Sequence, residues 1–391
     1  MIEVGKKTRR VAVVVVALLI AAACSSGTST STGSTSATGG GGGADQPAKA
    51  QAATELAFKG TNRNVDPASR PAAKGKHIVV ISSGQAASSS SVPSNGAVAA
   101  AQAAGWTVDL YDAKLSPANY APLVSQAIAA NADGIILDAI DCNTVKEPLQ
   151  QAKAKNIAVV AIYAYDCTDS HAGGDSTGLF SANINYGAKA TDPDAFAGLY
   201  GADQANYIIA DSNNKAKVIA IQDPEFTVLY WTLKGFQDTI ESSGGSTIVS
   251  TLEVTTADLG NGQIVPKIQA EILKHPEATW IKSPYTYVTT LGVAQALGAN
   301  SNKLKVMGGE GFADELDLIR SGKITAANVI SSEWVGWAAV DTMNSVFISQ
   351  PPADSGIGWT MVDATHNLPA SGDFKPPVDF QAEYKAAWGV G

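Results

Sequence analysis

The segments DGIILDAI (Asp133–Ile140) and IAVVAIY (Ile157–Tyr163) decide the fold. Each is a short, continuously apolar run rich in branched side chains, which marks a strand buried on both faces. Val145 to Lys155 between them has the length and composition of a helix, so the unit is two parallel strands joined by a crossover helix. The same alternation recurs outward in both directions. HIVVISS (His77–Ser83) and Trp106 to Tyr111 are strands flanking a helix from Ala97 to Ala104, which Gly105 closes. Ser116-Pro117 opens a helix running to about Asn131. Towards the C-terminus, Ser181 to Asn185 reads as a connecting strand. Further strands fall at Lys217 to Gln222, Thr247 to Val254, Thr279 to Ser283 and Lys305 to Gly308. Helices are expected at Ala195 to Asp211, Leu229 to Ser242, Gly262 to Lys274, Val288 to Leu297 and Ala313 to Arg320. The pattern predicts an α/β protein of two doubly wound, parallel-sheet lobes in series.

The N-terminus carries an address rather than a fold. Lys6, Lys7, Arg9 and Arg10 precede thirteen apolar residues, Val11 to Ala23, and then Cys24. Thirteen helical residues rise about 20 Å, short of a roughly 30 Å hydrocarbon core, so residues 1–24 read as a signal peptide. Ala21-Ala22-Ala23 before Cys24 resembles a bacterial lipobox with the cysteine as lipidation site, although Ala21 stands where leucine is usual. Ordinary signal cleavage beside an unmodified cysteine is the alternative. Residues 25–75 read as a flexible Ser/Thr/Gly/Ala/Pro-rich linker with a mean reach of about 40 Å. The folded body is then extracytoplasmic, held at the membrane through a lipid anchor only.

Composition narrows the partners. Removal of Lys6, Lys7, Arg9, Arg10 and Glu3 from 27 basic and 36 acidic residues leaves 23 and 35, a net charge near −12. Nothing basic clusters to neutralise phosphates, so nucleic acid is not an expected partner. About 315 residues follow the linker, enough for two lobes. Cys142 and Cys167 form an even pair that reads as a disulfide in an oxidising compartment, with two free buried thiols as the alternative. His77, His171, His275 and His366 show no ligand spacing, so neither metal nor cofactor is expected.

The order and spacing of KGKHIVVISSG, NADGIILDAID, AKAKNIAVVAIY, KVIAIQD, TLKGFQDTIES, ILKHPEATWI and KVMGGEGFADELDLIRSGKITAAN resemble the type I periplasmic binding proteins. These are the sugar-binding group serving ABC importers. The likeness covers roughly residues 75 to 350 and includes Gly235-Phe236 and Ser321 to Lys323. It implies a clamp of two lobes joined by three crossing strands, near Asn183–Gly187, Asn328–Ser332 and within Gly356–Thr365. The N-terminal lobe would comprise residues 76–185 plus about 330–358, and the C-terminal lobe 186–329 plus about 359–391.

In such a fold the ligand sits beyond the carboxyl ends of the strands, between the lobes. The strand-end residues of the first lobe are Gln85, Asp138, Asp141, Tyr163, Tyr165 and Asp166, with Asn185 at the first crossing. The second lobe offers Asp223, Glu225, Tyr230, Trp231, Tyr285 and Glu310, followed by Glu333 and Trp334 after the second crossing. Carboxylates and amides suit sugar hydroxyls, and aromatic rings suit the C–H face of a pyranose. Each also has a plainer reading, as core, cap, turn or hinge. Related sugar binders often place an arginine near the position of Tyr230, whereas this chain has none between Arg70 and Arg320. The ligand is therefore expected to be neutral or cationic, a sugar or polyol before an amine. A permease of an ABC importer is the expected partner of a monomeric, non-enzymatic binding protein, and a sensor kinase is the alternative. Gly174 to Gly178 matches the G-x-S-x-G pattern of serine hydrolases around Ser176, but its Gly/Ser-rich flanks lack the strand and helix that motif requires.

Overall fold

The computed structural model describes residues 45–298 and 303–391. The signal segment, Cys24 and the first part of the expected linker lie outside the described residues. The first lobe is built on four parallel strands, β1 (His77–Ser82), β2 (Thr107–Asp112), β3 (Gly134–Asp138) and β4 (Ala158–Ile162), in the order β2-β1-β3-β4. The second holds six, β5 (Lys217–Gln222), β6 (Thr247–Glu253), β7 (Trp280–Lys282), β8 (Lys305–Met307), β9 (Ala326–Ile330) and β10 (Trp359–Asp363). Their order is β10-β9-β8-β7-β5-β6, with only β10 antiparallel to its neighbour. Strand β3 and the edge strand β4 are buried throughout, as their unbroken apolar runs require.

The helices in chain order are α1 (Gln46–Lys59), α2 (Ser88–Ala103), α3 (Tyr120–Ala129), α4 (Lys146–Ala154), α5 (Pro193–Asp211) and α6 (Thr227–Ser243). They continue with α7 (Thr256–Gly260), α8 (Ile264–Lys274), α9 (Thr286–Val288), a π-helical turn (Thr289–Val293) and α10 (Ala294–Ala296), then α11 (Ala313–Arg320), α12 (Ser332–Phe347) and α13 (Phe380–Trp388). Each lobe packs one glycine-mediated helix pair against its sheet. A Cβ on Gly336 of α12 would overlap the Pro93 carbonyl of α2, and one on Gly235 of α6 would overlap the Gly198 carbonyl of α5. The glycine of the Gly235-Phe236 motif is thus a close-approach residue, while Phe236 fills the core beneath it.

Four sequence expectations change. Helix α2 begins at Ser88, not near Ala97, because the serine run and Pro93 that looked like loop form its first turns. Ser181 to Asn185 is not a strand: Ser181 pairs with Val159, and Asn185 forms an isolated bridge to Asp354. Residues 45–73 are not linker. Ala50 and Ala57 of α1 are buried with the second-lobe core, and residues 61–66 run beside 354–359 through backbone hydrogen bonds. Arg70 then enters the first lobe, its Nε donating to both Asp341 oxygens at 2.7 and 2.9 Å. Polar backbone pairing carries no hydrophobic period, so the composition of this arm gave no sign of it. Finally, α13 packs Phe380, Tyr384 and Trp388 into the first-lobe core, although β10 before it belongs to the second sheet.

Candidate functional site

The carboxyl ends of both sheets face one cleft. On the first-lobe side, the buried polar groups are Ser82 Oγ, Gln85 Nε2 and Asp138 Oδ1, which have no hydrogen-bond partner, and Ser89 Oγ, which faces the Glu310 carboxyl and favours its ionised form. All four come from the ends of β1 and β3 and the first turn of α2. Asp138 Oδ2 accepts from Ser94 at 2.6 Å, and burial pushes this carboxyl well above the usual carboxylate range. Protonated, Asp138 is a donor as well as an acceptor. Gln85 Oε1 accepts from Asn95 at 3.4 Å, which turns the amide nitrogen inward. Gln85 and Asp138 sit just behind the residues that line the open space, whereas Ser89 and Ser90 line it directly.

Tyrosines form the walls. Tyr163, Tyr165, Tyr186, Tyr200 and Tyr285 all line the cleft. Tyr163 occupies the left-handed region at φ 51°, which aims its ring across β4 so that its hydroxyl lies 3.0 Å from Ser332 Oγ. Tyr165 donates to the Pro193 carbonyl at 3.0 Å, and Tyr200 donates to the Gly309 carbonyl at 3.0 Å. Tyr186 stacks on Phe196 with centroids 3.9 Å apart. Burial raises the Tyr186 hydroxyl's pKa, so it meets the cleft as a neutral phenol.

The second lobe contributes charge. Glu310, the only charged residue lining the cleft among those described, accepts from Thr286 N at 2.6 Å and is pushed up by burial. Glu315 lies behind it, accepting from Gly309 N and Gly311 N at 2.7 Å each, yet burial raises its pKa to about 7. Asp223 accepts from the Tyr285 hydroxyl at 2.9 Å and is likewise raised by burial to about 7. Lys282 is buried on β7, with its pKa lowered by burial to about 8 and held up only by the field of Glu310.

Several expected ligand residues instead hold the lobes together. Asp141 of the first lobe accepts from Thr227 N of α6 at 2.9 Å and from Tyr165 N at 2.8 Å. Trp231 Nε1 donates to Asp169 at 2.9 Å, and Tyr230 stacks on His171 with centroids 3.5 Å apart. Asp169 and His171 lie on the loop after β4 that the Cys142–Cys167 disulfide pins, with Cα atoms 5.0 Å apart. Backbone-facing residues dominate this latch, which is why strand-end position alone suggested ligand contact.

Others lie away from the open space. Asp166 accepts from Cys167 N and Leu179 N at 2.7 Å each and shapes the disulfide loop. Glu225 anchors α7 through Thr256 N and Oγ1 at 2.6 and 2.7 Å. Asn185 lies where the chain passes between the lobes, donating to the Pro352 carbonyl at 3.2 Å. Glu333 meets Gln381 of α13 at 2.6 Å, and Trp334 is fully buried against Phe380 in the first-lobe core. Both belong to the outer side of α12, so their place after the second crossing misled. Of the expected set, Tyr163, Tyr165, Tyr285 and Glu310 line the cleft. Missed were Ser89 and Phe196, in the first turns of α2 and α5, Tyr200 further along α5, and Tyr186 in the crossing segment before it. Ser176 lies in a bend with no strand before it, and His366 bonds Asp363 beyond β10 of the other lobe, so no nucleophile elbow exists there.

Comparison with known proteins agrees with this geometry. Residues 78–350 match the family model described as periplasmic binding protein domain. Sequence comparison with the curated proteins returned no match. Among solved structures, a solute-binding protein of an ABC transporter from Burkholderia graminis, in complex with D-arabinose, superposes with a TM-score of 0.63 at 21% identity, covering 77% of this chain and 99% of that one. The myo-inositol binding protein of Caulobacter gives 0.62 at 15% identity, covering 75% and 95%. A glucose-galactose binding protein from Geobacillus stearothermophilus gives 0.61 at 19% identity, covering 74% and 98%. With two lobes sharing one cleft and a family match over most of its length, the chain belongs to the periplasmic binding proteins, in their non-enzymatic, type I form.

Proposed function

We propose that this chain is an extracytoplasmic solute-binding lipoprotein, anchored through Cys24, that closes on a small neutral sugar or polyol and delivers it to an ABC permease. The carrying observation is the set of partnerless polar atoms on Ser82, Gln85 and Asp138, buried at the strand ends just behind the tyrosine-walled cleft. Buried donors and acceptors are almost always satisfied, so a cluster of them at a cleft supports a polar ligand. Glu310 supplies the opposite side. Structural relatives whose names specify D-arabinose and myo-inositol support the same class. A cationic amine is less well supported, because the one cleft carboxylate, Glu310, already lies in the field of Lys282.

Thermal-shift and calorimetric titration of residues 45–391 against sugars, polyols and amines tests this reading. A neutral sugar at 100 times its dissociation constant should add about 2.7 kcal/mol of stability. Asp138→Ala should weaken its binding at least tenfold. Binding confined to amines, or none in the panel, refutes the sugar reading.

A further inference from the structure

The cleft extends beyond its polar floor. It runs from the hinge side, beside β4 and β9, to the loops that follow β2 and β6, the edge strands of the two sheets. At that far end the lining changes to Leu115 of the first lobe and Phe226, Val228, Leu259 and Tyr287 of the second. All five side chains are only half-buried, and none of the lining there is charged among the described residues. The four second-lobe residues pack on the rim of that lobe's core, while Leu115 stands outside both first-lobe cores.

Leu115 is held there against its own preference. Lys114 and Leu115 have φ of 59° and 55°, two consecutive non-glycine residues in the left-handed region. Such a residue persists only where its surroundings fix it. Here Leu115 N donates to the Ser83 carbonyl at 2.8 Å and Lys114 N to Asp112 at 2.8 Å. The side chain lies over Gly84, where any Cβ would overlap it. Opposite, Leu259 rides on the short helix α7, which is fixed by a capping box between Thr255 and Asp258 and by Glu225. The first lobe thus uses strained backbone, and the second a capped short helix, to present an apolar side chain to open space.

We propose that this end is a subsite for an apolar substituent, so that the ligand is an amphiphilic glycoside. Its hydroxylated head lies against Ser89 and Glu310, in front of Asp138, and its alkyl or aryl group lies between Leu115 and Leu259. The inference rests on the sugar reading above. The carboxylates that would grip further hydroxyls are engaged elsewhere: Asp141 in the latch, Asp166 in its loop and Asp223 on Tyr285.

Matched methyl, hexyl and phenyl glycosides of glucose, galactose and arabinose, titrated beside the free sugars, test it. Burial of even two extra methylenes gives roughly tenfold tighter binding, so the hexyl compound should exceed its methyl partner by at least that factor. In Leu115→Asn, which keeps a residue suited to the left-handed backbone, and in Leu259→Ser, the hexyl-to-methyl ratio should fall towards one. Equal affinity for free, methyl and hexyl forms overturns the subsite and leaves the sugar reading standing. A hexyl advantage that survives both substitutions also overturns it. Silence from every sugar and glycoside removes the sugar reading, and the subsite with it.

Discussion

The two lobes share a plan and differ in chemistry. Each crosses a helix pair through glycine, α2 on α12 and α5 on α6, and each ends its strands at the cleft. The first lobe meets the cleft with neutral groups and locks its loops covalently through Cys142–Cys167. The second meets it with Glu310, backed by the buried Asp223, Glu315 and Lys282. The disulfide pre-organises the loops of the first lobe, while buried acids in both lobes, Asp138 and Asp141 as well as Glu310 and Glu315, make stability respond to pH. The covalent staple belongs to the first lobe alone, and the charge that lines the cleft to the second.

The sharpest way to break this contrast is to remove the staple. Cys142→Ser with Cys167→Ser opens a loop of sequence separation 25 and should cost about 3 kcal/mol, read as a lower denaturant midpoint. Because the opened loop carries Asp169 and His171, ligand affinity should fall as well. An unchanged midpoint and affinity would show that the first lobe is not ordered by its disulfide.

Next in size is the pH response of the second lobe. The pKa of Glu315 is raised by burial from 4.5 to about 7, so folding favours its protonated form. Its contribution is greatest below pH 4.5 and is lost as pH rises towards about 7, a fall on the order of 2 kcal/mol. Glu315→Gln should flatten the urea midpoint between pH 4.5 and 7.5 relative to the parent chain. Parallel slopes in the two proteins would count against a buried, titrating Glu315.

The smallest effect belongs to the contact between the lobes. Trp231→Phe keeps a ring beside His171 but deletes the hydrogen bond to Asp169. It should weaken ligand binding by about 1 kcal/mol, roughly fivefold, with little change in the stability of either lobe. An affinity equal to that of the parent would remove Trp231 from the latch.

The strands were legible because buried parallel strands leave unbroken apolar runs such as Ile135 to Leu137 and Val159 to Ile162. The cleft was half legible for the same reason: the ends of those runs put Tyr163, Tyr285 and Glu310 in place. Asp141, Trp231 and Tyr230 stand at similar positions, yet they latch the lobes, and no local signal separates a carboxylate that accepts a ligand hydroxyl from one that accepts Thr227 N. Ser89 was hidden by a serine run that looked like loop, and Tyr186 and Tyr200 by lying in a crossing and in mid-helix. The arm from Thr61 to Arg70 was invisible because backbone pairing and one buried ion pair hold it, without any apolar period.

That arm has a practical consequence. Helix α1 rides on the second lobe and α13 on the first, so two surface positions near opposite ends of the described chain report on different halves of the clamp. A fluorescence donor on exposed Leu56 of α1 and an acceptor on exposed Ala386 of α13, each introduced through an added cysteine, would turn any hinge motion into a ratio of colours. Such a pair would read closure of the clamp with no reporter inserted into either lobe.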